Sequence, residues 1–129
     1  MLEVCNDYEY MRELLSNEGF AKHQFGYDTC LNLKTDVGFF STRIEYGYPR
    51  LVHFLVEPAK RSFKNSLKQF NMFTDMMISQ GHPFFVVESP ASNPTIQRFI
   101  KFIGGKDHYM EVDGDKAFYI PVGHRRKVK

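Results

Sequence analysis

The chain has 129 residues, 43% of them hydrophobic and 16% aromatic, which suffices for one real core and gives no reason to divide it. Charged residues make up 25%, the formal net charge is only +2, and no apolar run approaches the length of a bilayer crossing. These values argue against a membrane-spanning protein and against nucleic-acid binding driven by bulk charge, and they point to one domain, residues 1–122, with a basic, flexible tail at 123–129.

The opening "MLEVCNDYEYMRELL" places acids where a secretory signal needs a basic start, so none is expected. Cys5 and Cys30 stand at no metal-ligand spacing and are read as reduced, packed thiols, with no zinc site and no disulfide framework. A cytoplasmic setting follows, the protein's own or that of a host.

From Asp7 to Glu18, Tyr8, Met11, Leu14 and Leu15 recur at helical spacing, with Asp7 placed to cap the start and Gly19 to end it. The stretch from Phe20 to Asp28 reads either as a short helix or as a loop covering one edge of a site. "TCLNL", "VGFFSTRIEYG" and "RLVHFLVE" are rich in β-branched and aromatic residues and predict three consecutive strands. In the third, alternation would put His53 on one face with Leu51 and Leu55.

Phe63, Leu67, Phe70, Phe73 and Met77 then follow steps of three and four, opposite Lys64, Lys68, Asn71, Asp75 and Ser79, until Gly81. This predicts a helix of about five turns. "PFFVVES" is a short continuous apolar run and predicts a strand buried on both faces. "SNPTIQRFIKFIGG" predicts a helix capped by Asn93, with Pro94 at its first position, Ile96, Phe99, Ile100 and Ile103 on one side and Gly104 at its end. "HYMEV" and "KAFYI" flank Asp113 and Gly114, a hairpin turn pair. The fold class is therefore α/β (α+β), a central mixed sheet of six to seven strands with helices on both faces.

That order, with the residues at its middle, resembles the GNAT superfamily of acyl-coenzyme A dependent N-acyltransferases. The likeness spans nearly the whole chain in element order and residues 51–104 in motif. Val56-Glu57-Pro58 matches the end of the family's long strand, and Arg61 to Ser66 falls on its Arg/Gln-x-x-Gly-x-Gly/Ala loop, with Arg61 kept, Lys64 at the first glycine and Ser66 at the second small residue. Val87 to Asn93 echoes a second motif, with Glu88, Ser92 and Asn93 at matching places, and Ile100 stands where a thiolate-protonating tyrosine often does. "AKRSFK" and the run from Asn93 to Gly104 are similar in pattern to the degenerate GNAT-like proteins of short-tailed phages, a small internal virion protein among them.

The resemblance implies acetyl-coenzyme A as cofactor, no metal, and an amine acceptor, on a peptide or protein. The coenzyme's pyrophosphate would sit at the helix start, where unpaired N–H groups and a partial positive charge meet. Arg61 and Lys64 would add charge, and Ser62, Asn65 and Ser66 polar donors. Lys64 either blocks the close approach that glycine permits or substitutes for it. The plain reading is that Lys60, Arg61, Lys64 and Lys68 form a solvated helix face.

Backbone groups near Leu55 and Val56 would serve the oxyanion and the pantetheine amides. Glu88 is the candidate general base, its plain reading a carboxylate pointing to solvent at a strand end. His53 would relay a proton or serve as a hydrogen-bonded core residue, and Asn93 would reach a cofactor amide or only cap its helix. Glu45 and Glu57 are alternative bases, Glu57 also placed to pair with Lys60 or Arg61, and Tyr109 or Tyr119 could supply the missing acid.

Three functions follow from these residues. One is acetyl transfer from acetyl-coenzyme A to an amine. The second is a catalytically silent GNAT-like phage virion or assembly protein in contact with other structural proteins. The third is a small nucleic-acid or acidic-protein binder that acts through its basic helix start and the tail residues Arg125, Arg126, Lys127 and Lys129. The hairpin from Tyr109 to Ile120 is a candidate homodimer edge.

Overall fold

The computed structural model describes residues 2–20, 26–89, 98–105, 109–112 and 115–121, with the backbone alone at 27, 88–89, 104–105, 109–112 and 115–117. The first helix, α1 (Tyr8–Asn17), starts where Asp7 accepts the Tyr10 N–H at 3.1 Å, and it stops at Glu18 before Gly19, whose φ of 86° is open only to a residue without Cβ strain. It buries Met11, Leu14 and Leu15, the stripe its periodicity foretells. Before it lies β1 (Glu3–Val4), which the sequence reading missed because two exposed residues carry no detectable period.

Strands β2 (Leu31–Lys34), β3 (Gly38–Glu45) and β4 (Tyr48–Val56) form the expected meander. Helix α2 (Phe63–Ser79) leads to β5 (Phe84–Ser89), helical residues 98–105 form α3, wound as a π turn over Lys101–Gly105, and β6 (Tyr109–Val112) and β7 (Asp115–Pro121) close the fold. The sheet runs β1-β2-β3-β4-β5-β7-β6, and among the described pairings only β4 with β5 is parallel. Residues 21–25, within the segment left open between helix and loop, lie outside the described residues, as do Asn93, Pro94, Ile96, Asp113, Gly114 and the tail. At the end of that segment Tyr27–Thr29 makes one 3-10 turn.

Helices cover the two faces unequally. On one, Phe70, Phe73 and Met77 of α2 and Ile100 and Ile103 of α3 pack on Phe40, Leu51, Phe85, Phe118 and Ile120. The Phe73 ring meets Phe85 edge-on at 4.7 Å and Phe40 at 5.2 Å, so aromatic burial carries this interface. On the other, α1 packs only on Cys5, Phe39 and Leu55.

Two expectations change as a result. The run "PFFVVES" was expected to be buried on both faces, but Phe84 and Val86 are only half-buried: α1 packs on β3 and β4, and among the described residues no helix covers the β5 to β7 half of that face. His53 does not share a face with Leu51. The register shifts so that Ser41 faces His53 while Thr42 faces Leu51, leaving Val52 as an extra residue. This bulge puts Leu51 into the α2 core and turns Leu55 toward α1, and His53, whose ring meets Phe20, follows Leu55.

Candidate functional site

The site begins where β4 leaves β5. Their parallel pairing consists of two rungs, Arg50 with Val86 and Leu51 with Val87, although β4 runs on to Val56 and β5 to Ser89. Beyond these rungs β4 and β5 are not paired, and among the described residues no strand takes the β5-side backbone edge of residues 53–56.

The inner edge of the same strand end is held tightly. Gln69, fully buried on α2, donates through Nε2 to Leu55 O at 3.1 Å and to Phe39 O at 3.3 Å, while its Oε1 accepts the Thr35 hydroxyl at 2.6 Å. Thr35 Oγ1 in turn accepts the N–H groups of Val37 and Gly38 at 3.2 and 3.0 Å. Gly38 allows this closeness, since a Cβ there would lie 1.9 Å from Leu55 O. A satisfied buried network thus fixes the direction of the strand end.

The chain then turns through one 3-10 turn, Pro58–Lys60, before α2 opens, so the helix does not follow the strand directly. Ser62 is the N-cap: its Oγ accepts the Asn65 N–H at 3.0 Å, and Asn65 Nδ2 donates to Lys60 O at 2.6 Å. Two of the expected phosphate donors are therefore engaged in shaping the turn. Ser66 N–H is likewise used, donating to Ser62 O at 3.0 Å.

The basic face is mostly pinned. Arg61 forms an ion pair with Glu18, just past α1, and its Nε donates to Val56 O at 3.2 Å. Lys60 donates to Asp36 O at 2.9 Å and pairs with Glu57 at 3.4 Å, and Lys68 reaches the Asp36 carboxylate at 2.5 Å, which holds that carboxyl below its usual range. Lys64 is exposed in the first turn, with no ion-pair partner among the described residues. Lys64 thus lies in the first turn of α2, where the helix start carries a partial positive charge.

A second tie joins α1 to this junction. Tyr10 donates its hydroxyl to Glu57 at 2.7 Å, and burial together with that carboxylate pushes the phenol far above its ordinary pKa. Lys34 caps the Tyr10 ring at 4.4 Å. Glu57 pairs with Lys60 as foreseen, not with Arg61.

His53 is buried, with its ring edge-on to Phe20 at 5.4 Å, beneath the segment that follows α1. Glu88 belongs to β5 in register with Ala117, and its side chain lies outside the described residues. Ile100 is buried in the α2 core, so no acid stands at the tyrosine position. Tyr119 sits beside Phe84 and in register with Val86, level with the paired rungs and away from the parting. Glu45 binds Arg50 at 2.8 Å in the β3–β4 hairpin, at the far end of β4, and does not reach the cleft.

Phe63, the first residue of α2, meets Phe102 at 5.1 Å and Phe99 at 6.0 Å, and Phe99 leans on Phe54 of β4 at 6.4 Å. These rings line the space between the helix start, α3 and the parting strand. Sequence reasoning missed Glu18, Tyr10, Gln69 and Thr35. Each acts across a long sequence separation, and only Gln69 left a trace, a polar residue beside the apolar stripe of α2.

At the level of sequence the chain matches no family profile and no curated protein. In three dimensions it is similar to the ribosomal-protein-S18-alanine N-acetyltransferase of Escherichia coli, with TM-score 0.65 and 15% identity over 95% of this chain and 93% of that one. A GNAT-family acetyltransferase of Listeria monocytogenes gives 0.66 at 11% identity over 94% of both chains. An aminoglycoside 6'-acetyltransferase type Ii gives 0.64 at 14% identity over 95% of this chain and 97% of that one. The chain has the GNAT fold over nearly its full length.

Proposed function

We propose that this protein binds acetyl-coenzyme A along the open edge of β4 and transfers the acetyl group to an amine on a peptide or protein. The observation that carries the proposal is the pairing of β4 with β5 over two rungs only, followed after one 3-10 turn by the start of α2 with its exposed Lys64. The bound coenzyme would supply an acyl thioester, the electrophile. Backbone groups of residues 53–56 suit its pantetheine amides and the oxyanion, since among the described residues no strand takes that edge.

The pyrophosphate end fits by different means than in a glycine loop. Lys64 offers charge in place of close backbone approach, and Arg61 joins it once phosphate displaces Glu18. Glu88 is the proposed base for the acceptor ammonium, and His53, held beside Phe20, is the alternative relay. Asn93 is retained as a candidate cofactor contact. The amine acceptor is favoured by the named activities of the similar structures, one on an alanine of a ribosomal protein and one on aminoglycosides.

A second reading has its own observation. The Phe63, Phe99 and Phe102 rings meet where the coenzyme would leave the strands, and Ile100 replaces the acid, as befits a silent GNAT fold that serves as a binding or virion assembly component. The two part in one experiment. Acetyl-coenzyme A is incubated with the protein and a library of free-amine peptides, and products are read by mass spectrometry. Acetylated peptide from the wild type, reduced about 100-fold or more in Glu88→Gln with coenzyme affinity retained, supports the enzyme. Coenzyme binding without product from any peptide supports the silent fold.

A further inference from the structure

Four cations, Lys60, Arg61, Lys64 and Lys68, stand around the start of α2, and three of them already meet a carboxylate: Lys60 meets Glu57, Lys68 meets Asp36 and Arg61 meets Glu18. The three pairs differ in what else holds them. Glu57 also accepts the Tyr10 hydroxyl at 2.7 Å and Lys60 donates to Asp36 O at 2.9 Å, so the first pair belongs to a wider network. Lys68 lies in the second turn of the helix, past its start. Arg61 precedes the N-cap Ser62, and its Nε donates to Val56 O at 3.2 Å, which fixes the guanidinium at the end of β4 whatever its outer nitrogens bind. Its Nη2 pairs with Glu18.

Glu18 gains nothing from its own helix. It caps the carboxyl end of α1, where the helix carries a partial negative charge, and the last turn of α1 contains no basic residue. A carboxylate there is repelled by its helix, and Arg61 offsets the repulsion. We propose that Glu18 is a specificity-determining residue, which competes from within the protein for the guanidinium that a coenzyme phosphate would take. The inference rests on the coenzyme reading of the site. A guanidinium fork takes a carboxylate or a phosphate through the same N–H groups, and with the Arg61 and Glu18 side chains 48% and 31% exposed the exchange proceeds through water. Free pyrophosphate gains only what Glu18 gives up, and so binds weakly. A coenzyme would add hydrogen bonds along residues 53–56 of β4 and displace the carboxylate, so Glu18 selects for the ligand that also takes the strand edge.

The test is calorimetric titration of the whole chain with coenzyme A and, separately, with inorganic pyrophosphate, for the wild type, Glu18→Gln, Arg61→Ala and the double variant. Glu18→Gln is expected to tighten both ligands about three- to five-fold, with pyrophosphate gaining at least as much as coenzyme A. In the Arg61→Ala background the same change should have no effect, because the contested guanidinium is gone. The melting temperature of Glu18→Gln should stay unchanged or rise, which separates a competitor from a structural tie. Equal coenzyme A affinity in wild type and Glu18→Gln would overturn the proposal while the coenzyme reading stands, and so would an equal gain with and without Arg61, the mark of a general charge effect. Coenzyme A binding to neither protein would overturn both.

Discussion

At its carboxyl end β4 is gripped from within: Gln69 holds the Leu55 carbonyl, Gly38 lets the strands close to a distance no Cβ allows, and Arg61 ties Val56 O to Glu18. At its amino end the same strand leaves a turn with a strained Tyr46 and a row of partly exposed rings over which no helix lies among the described residues. The first end uses polar groups, buried at Gln69 and exposed at Arg61, each with a partner, to fix the backbone of the strand beyond its last rung with β5. The second keeps apolar groups in water at some cost to stability. A single strand thus presents two different surfaces, and local burial reveals which one the fold itself needs.

The comparison can be broken most severely at Gly38. Gly38→Ala places a methyl group against Leu55 O, with Leu55 C and Val56 Cα at 2.8 and 2.9 Å, all of them backbone atoms that cannot rotate away. A loss of about 3 kcal/mol or more in urea unfolding is expected. Gln69→Leu comes next: it removes the amide that donates to the Leu55 and Phe39 carbonyls and accepts from Thr35 in a dry core, for about 2–3 kcal/mol by the same measurement.

The amino end should behave in the opposite sense. Tyr46→Gly relieves a positive φ and loses almost no contact, so thermal unfolding should show stability unchanged or raised by up to about 1 kcal/mol. The smallest effect is at the surface pair. The Asp36 carboxyl is held below its ordinary value near 4 by its hydrogen bond from Lys68, so its contribution is complete above about pH 4 and disappears as pH falls through the lowered value. Both groups are nearly half exposed, and the pair is worth less than about 1 kcal/mol. The stability difference between wild type and Asp36→Asn, followed by urea titration from pH 6 to 2, should therefore close in acid.

What was legible in the sequence follows the same division. The α2 stripe from Leu67 to Met77 and the Asp7 cap are local patterns, and they appear where the spacing puts them, whereas Phe63, placed at the head of that stripe, is 57% exposed in the first turn. The strand-to-helix order around Val56 and Arg61 was enough to name the fold. The Val52 bulge was not legible, since alternation continues through it in the letters, and it moved His53 to the other face from Leu51. The partial exposure of Phe84 and Val86 was hidden because "PFFVVES" reads alike whether one helix layer or two covers it. The grip of Glu18 on Arg61 and of Gln69 on Leu55 joins residues 43 and 14 positions apart, which no local spacing encodes.

The most direct test of a cofactor cleft at the open edge of β4 is calorimetric titration of the protein with acetyl-coenzyme A, repeated on Arg61→Ala and Lys64→Gly. Micromolar binding that weakens in Arg61→Ala is the expected result. No measurable heat from the wild type or from Lys64→Gly would contradict it and leave the parted strands as inherited architecture.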